Sequence, residues 1–123
     1  MLKPLIIALD VKTDEEAFSL VDRLSPYVDI CKVGSGLYYR YGRSVIDRIH
    51  KAGKKVFLDM KLFDIPNTVR LAIQGMADLG VYSATIHLSG GAEMIQQAAG
   101  LDKRPLIWGV SVLTSFDARG LKQ

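Results

Sequence analysis

An aspartate and a lysine two residues apart, Asp59 and Lys61, close an apolar run, and a second aspartate, Asp64, follows three residues later. Side chains alternate along a strand, so Asp59 and Lys61 share one face and Met60 takes the other. On an interior face a carboxylate and an ammonium are costly unless they pair or bind something. Lys32 interrupts another apolar run, Val28-Asp29-Ile30-Cys31-Lys32-Val33. With Asp59, Lys61 and Asp64 it makes an alternating Lys, Asp, Lys, Asp array. Such an array keeps a lysine near its ordinary charge while crowding carboxylates around a substrate anion. Two plainer readings stand beside this one. Asp59 and Lys61 can form an internal ion pair that closes the end of a sheet, and Lys32 can snorkel to a rim.

The elements that must position these residues are five short apolar runs, Leu5–Leu9, Val28–Val33, Lys55–Met60, Ala84–Leu88 and Leu106–Leu113. Each has the length of a strand, and near-continuous apolarity suits strands covered on both faces. The segments between them have helical patterning. Thr13-Asp14-Glu15-Glu16 is a capping box, followed by Ala17, Leu20, Val21 and Leu24 at helical spacing. Val45, Ile46 and Ile49 share a face before Gly53; Val69, Ile73, Met76 and Ala77 do so before Gly80; a shorter helix over Gly91–Ala99 ends at Gly100. Strand–helix alternation predicts parallel strands. A Gly-rich turn after the first strand would mark a dinucleotide-binding open sheet, but Asp10-Val11-Lys12-Thr13 stands there. Polar residues end nearly every strand: Asp10, Lys32, Asp59 with Lys61, His87, and Thr114 with Ser115. Barrel enzymes gather their catalytic residues at that edge. The predicted fold is therefore α/β, a TIM (β/α)8 barrel represented by its first five strands and four to five helices. A whole barrel needs about 200 residues or more, so residues 1–123 are expected to be the N-terminal portion of one barrel domain.

Composition narrows the function. The chain has 123 residues, a formal charge of +3 and no run of Lys and Arg, which does not point to nucleic acid. No stretch approaches a membrane span of about 18 apolar residues, and Asp10 cuts short any signal-peptide core. The single cysteine, Cys31, lies in a strand and is expected to be a small buried hydrophobe. A soluble cytoplasmic protein is expected.

The runs Ala8-Leu9-Asp10, Lys32-Val33-Gly34, Phe57-Leu58-Asp59-Met60-Lys61-Leu62-Phe63-Asp64-Ile65-Pro66-Asn67-Thr68-Val69 and Val112-Leu113-Thr114-Ser115 resemble, in order and spacing, the orotidine 5′-phosphate decarboxylase family. The likeness extends over essentially the whole chain. It implies cofactor-free and metal-free decarboxylation of orotidine 5′-phosphate to uridine 5′-phosphate, a step of pyrimidine biosynthesis. It implies Lys61 as proton donor to carbon 6, Asp59 as the carboxylate set against the substrate's own, and Lys32 and Asp64 as the rest of a charged tetrad. Asp10 is implied as a ribose-hydroxyl ligand, and Thr114 or Ser115 as a pyrimidine contact. It further implies a homodimer in which Asp64, Ile65 and Thr68 reach the neighbouring active site. The family commonly has histidine where Phe63 stands, a change expected to alter packing only. Its phosphate-gripping arginine and substrate-closing loop have no counterpart here, so the 123-residue chain is expected to be nearly inactive by itself.

Two other readings compete. A sister decarboxylase or synthase acting on sugar phosphates with magnesium would share Asp-x-Lys-x-x-Asp, but such enzymes usually carry glutamate at the position of Lys32 and lack Ile65-Pro66-Asn67-Thr68. A non-catalytic half-barrel is the other. Among remaining residues, His87 reads as rim packing or a substrate contact, and His50 as a helix-end surface residue. Tyr38-Tyr39-Arg40-Tyr41 reads as a loop or subunit contact or a stacking platform, and Trp108 as core or facing the covering helices.

Overall fold

The computed structural model describes residues 1–122. Its elements run β1 (Leu5–Ala8), α1 (Asp14–Leu24), β2 (Val28–Gly34), α2 (Ser35–Tyr41), α3 (Arg43–Lys51), β3 (Lys55–Leu62), α4 (Pro66–Asp78), β4 (Ser83–His87), α5 (Ala92–Ala99) and β5 (Leu106–Val110). The five strands pair in parallel in the order β1-β2-β3-β4-β5. A doubly wound sheet reverses its strand order at a switch point; this sheet never reverses, as one side of a barrel requires.

The two faces of the sheet differ in burial. Ile7, Leu9, Val33, Val56, Leu58 and Ile86 alternate along the strands and are at most 7% exposed. They form one cluster with Val21, Ile46, Ile49, Val69, Ile73 and Met94 of the helices. The other face is partly open: Ile6 is 39% and Leu106 47% exposed. Trp108 lies on this open face rather than under helices. It pairs in register with Thr85 and packs against Phe57, with ring centroids 4.4 Å apart and planes tilted by 60°.

Local sequence explains most element ends. Thr13 Oγ1 accepts from the Glu16 N–H at 3.2 Å, and three acidic residues fill the first turn of α1, where the helix dipole favours negative charge. The box is half-formed, because the Glu16 side chain makes no return bond to Thr13 among the described residues. Gly53 and Gly80, just beyond α3 and α4, have φ of +76° and +72°, the left-handed geometry that glycine adopts without a Cβ penalty.

One expectation needs correction, and one element is new. β5 stops at Val110 rather than Leu113, because β4 ends at His87 and its last pair is His87↔Val110; beyond it the chain has no ladder partner. The Tyr38–Tyr41 segment lies in helix α2, an element that the sequence patterning did not assign. Only Leu37 of that helix is fully buried, so it carries no apolar stripe to announce it. Tyr38 and Tyr41 pack at the margin of the core.

No helix among the described residues is long and apolar enough to cross a membrane. Ile49 is fully buried, so Ile49→Ala is expected to lower unfolding free energy by about 2–5 kcal/mol. Thr13→Ala should cost about 1 kcal/mol through loss of the cap. Urea unfolding followed by circular dichroism measures both.

Candidate active site

Parallel strands place their carboxyl ends at one edge, and four ionisable side chains meet there: Asp10, Lys32, Asp59 and Lys61. The Leu9 N–H continues the β1–β2 ladder by donating to the Lys32 carbonyl at 3.0 Å, which carries Asp10 to the rim beside β2. A Cβ on Gly34 would stand 3.4 Å from Asp10 Oδ1, in van der Waals contact with that carboxylate. Lys32 Nζ lies 3.3 Å from both Asp10 oxygens and 3.6 Å from Asp59 Oδ2. Lys61 Nζ donates to the same Asp59 Oδ2 at 2.8 Å.

The network is graded in exposure. The Asp59 side chain is 9% exposed, Lys32 21%, Lys61 39% and Asp10 64%. A carboxylate as deep as Asp59 depends on its partners for its charge. Burial pushes its carboxyl up, but hydrogen bonds from Lys61 and Thr85 and the charges of Lys61 and Lys32 outweigh that and hold it below the ordinary carboxylate value.

Lys61 has φ of +46°, sparsely populated for a residue with a side chain and found where surroundings impose it. It lies in an irregular stretch of the β3–β4 ladder, between the pairs Leu58↔Ala84 and Leu62↔Ile86. The Lys61 N–H donates to Thr85 Oγ1 at 2.9 Å, and Thr85 Oγ1 donates to Asp59 Oδ1 at 2.7 Å. The sequence reading missed Thr85. Its signal is the polar alternation Ser83, Thr85, His87 within an apolar strand.

Asp59 and Lys61 separate two pockets. One, of about 480 Å³, is rich in polar groups and includes Asp10, Lys12, Lys32, Ser35 and Arg40. The other, of about 350 Å³, adds Phe57, Thr85, Val110, Leu113, Thr114 and Ser115. The structure thus brings together Asp10, Lys32, Asp59 and Lys61, and sets Thr114 and Ser115 across the pair from Asp10.

Asp64 is not part of this cluster within one chain; the resemblance assigns it to the neighbouring subunit's site. Asp64 is exposed and accepts from the Ile65 N–H at 2.7 Å, because the chain turns after β3 to enter α4. Asp10 takes the fourth place in the cluster. Asp64 and Thr68 line a separate hollow of about 250 Å³, and Ile65 is 67% exposed. Phe63 meets the His87 ring edge-on, 6.0 Å between centroids. Cys31 is buried, and burial raises its thiol to about 11, so it is no nucleophile at neutral pH. Among the described residues no group of three or more His, Cys, Asp or Glu side chains is arranged to hold a metal ion.

A sequentially wound parallel sheet with a charged network at its carboxyl edge defines the class: an α/β barrel-type protein with its site at the strand ends. Residues 3–123 match the family described as "Orotidine 5'-phosphate decarboxylase / HUMPS family", and the chain belongs to that family. It is 44% identical to an orotidine 5′-phosphate decarboxylase of Carboxydothermus hydrogenoformans, over 100% of this chain and 55% of that protein. It is 46% identical to one of Methylacidiphilum infernorum, over 98% of this chain and 53% of that protein. Among solved structures, an uncharacterized conserved protein from Geobacillus kaustophilus superposes with a TM-score of 0.88 at 36% identity, covering 98% of this chain and 60% of that one. Orotidine 5′-phosphate decarboxylase from Lactobacillus acidophilus superposes with a TM-score of 0.79 at 36% identity, covering 98% and 58%. The chain spans about half the length of the curated relatives it matches. The fold is the expected one, five parallel strands of the decarboxylase barrel.

The Asp59 carboxyl binds its proton less readily when folded than its ordinary value of 3.8 implies. The contribution of its pairing is therefore complete above that value and is lost as pH falls through the lower folded value. Asp59→Asn should be less stable than the parent at neutral pH, and the gap should narrow below about pH 4. Urea midpoints across that range measure it; a gap independent of pH would contradict the ionised pairing.

Proposed function

We propose that this chain supplies the N-terminal portion of a single orotidine 5′-phosphate decarboxylase barrel and carries the charged groups of its chemistry. The bond from carbon 6 of the pyrimidine to the carboxylate breaks, carbon dioxide leaves, and the electron pair remains on carbon 6. Lys61 then delivers a proton from Nζ to that carbon, giving uridine 5′-phosphate. A fixed ammonium stabilises charge where it develops and needs no rearrangement during the step. Asp59, poised against the substrate carboxylate, disfavours the bound anion more than the transition state, in which that charge is dispersed. Lys32 keeps Asp59 ionised and joins it to Asp10, the ligand for a ribose hydroxyl. Thr114 and Ser115 take the pyrimidine edge in the pocket on the far side.

The observation that carries this reading is the 2.8 Å pairing of Lys61 Nζ with a carboxylate only 9% exposed, between a polar pocket and a more apolar one. That division suits a ribose phosphate on one side and a flat base on the other. The scheme requires neither metal nor cofactor. An ammonium, Lys32, stands 3.6 Å from Asp59, where a magnesium-dependent sugar-phosphate enzyme would favour another carboxylate. Asp64 and Ile65, exposed just before α4, and Thr68, exposed in its first turn, are free to reach a second subunit's site in a homodimer. The lone buried thiol fits a reducing cytoplasm.

The test is release of carbon dioxide from orotidine 5′-phosphate. It compares this chain with a version extended to the length of its relatives by further strand–helix units. The extended version should turn over; the 123-residue chain, whose sheet leaves the edges of β1 and β5 open, should be nearly inactive. Lys61→Ala in the extended version should lower kcat by about 10²–10⁴-fold or more with the fold retained. Undiminished turnover in that variant, or dependence on added magnesium, would defeat the assignment.

A further inference from the structure

We propose that Thr85 is the positioning residue of this site: its hydroxyl holds the end of β3 in the irregular geometry that turns Lys61 onto Asp59. The ladder shows the need for it. Between the pairs Leu58↔Ala84 and Leu62↔Ile86, β3 advances four residues while β4 advances two. The extra residues lift the Lys61 N–H out of register with the carbonyls of β4. A backbone donor displaced in this way requires another acceptor, and Thr85 Oγ1 supplies it at 2.9 Å. The same oxygen donates its proton to Asp59 Oδ1 at 2.7 Å.

One hydroxyl therefore does two things. It fixes the backbone of the residue that bears the ammonium, and it fixes the carboxylate that the ammonium faces. The division of the Asp59 oxygens follows: Oδ1 goes to Thr85, leaving Oδ2 for Lys61 and Lys32. Threonine is well suited, because its branched Cβ restricts χ1 and holds the hydroxyl in place. Thr85 is 5% exposed, so water cannot readily replace its bonds. The left-handed backbone of Lys61, at φ +46°, is the strained feature that such a clamp sustains.

The kinetic part of the test rests on the decarboxylase reading; the spectroscopic part does not. Thr85→Val keeps the shape and removes the hydroxyl, while Thr85→Ser keeps the hydroxyl. Without substrate, NMR of this chain reads hydrogen exchange of the Lys61 amide and the titration of the Asp59 carboxyl, which faces Lys61 and Lys32. Valine should speed that exchange about 10-fold or more and move the Asp59 midpoint upward, since a bond favouring the charged form is gone; serine should leave both near the parent values. In the extended version, valine should lower kcat by about 10²-fold, as a misplaced reactive group does, with KM within about 3-fold, and serine should restore it. If valine prevents folding, Thr85→Ala against Thr85→Ser reads the same signals. A folded hydroxyl-free variant with unchanged exchange and titration, or serine no better than valine, overturns the proposal. Absence of turnover in every protein, parent included, would fault the decarboxylase reading, and the two NMR signals would still decide the role of Thr85.

Discussion

The site depends on one buried carboxylate held by two hydrogen-bond donors and a further ammonium. Asp59 is nearly sealed from solvent, and an isolated charge there would be expensive. It stays ionised because Lys61, Lys32 and Thr85 all approach it. Removing a single partner from such a set leaves a charge uncompensated, and this is more damaging than replacing the whole set with apolar groups. Natural folds keep arrangements of this kind where the charges have work to do. Here they bring an ammonium and a carboxylate to the boundary between two pockets.

The fold supplies the geometry in layers. Parallel strands wound in chain order bring Asp10, Lys32 and Asp59 to one edge on neighbouring strands. The helices bury only one face, so the other is left for Phe57, Trp108 and the charged network. The irregularity at the end of β3 then turns Lys61 out of the regular ladder. Each layer constrains the next: the core fixes strand register, register fixes which side chains share the rim, and the bulge sets the last orientation.

Much of this was legible in the sequence because two-residue periodicity is a strong constraint. It placed Asp59 and Lys61 on one face, and the strand–helix alternation set Asp10 and Lys32 at the same edge. What the sequence did not disclose depends on pairing between distant strands. The shortened β5 follows from where β4 ends. The break in register at Lys61, and with it the role of Thr85, exists only once β3 and β4 lie side by side. Asp64 lies three residues from Lys61, yet the turn into α4 carries it away from the cluster of its own chain. Helix α2 was hidden because Gly36, three tyrosines and an arginine show no apolar stripe.

The proposed function makes a single spatial claim: the Lys61 ammonium lies beside carbon 6 of a bound pyrimidine nucleotide. A crystal structure of the extended protein with uridine 5′-phosphate measures this directly. The expected result is Lys61 Nζ about 3–3.5 Å from carbon 6, the ribose toward Asp10, and Thr114 or Ser115 at the edge of the base. A nucleotide seated in another cavity, or one whose carbon 6 faces away from Lys61, would contradict the account.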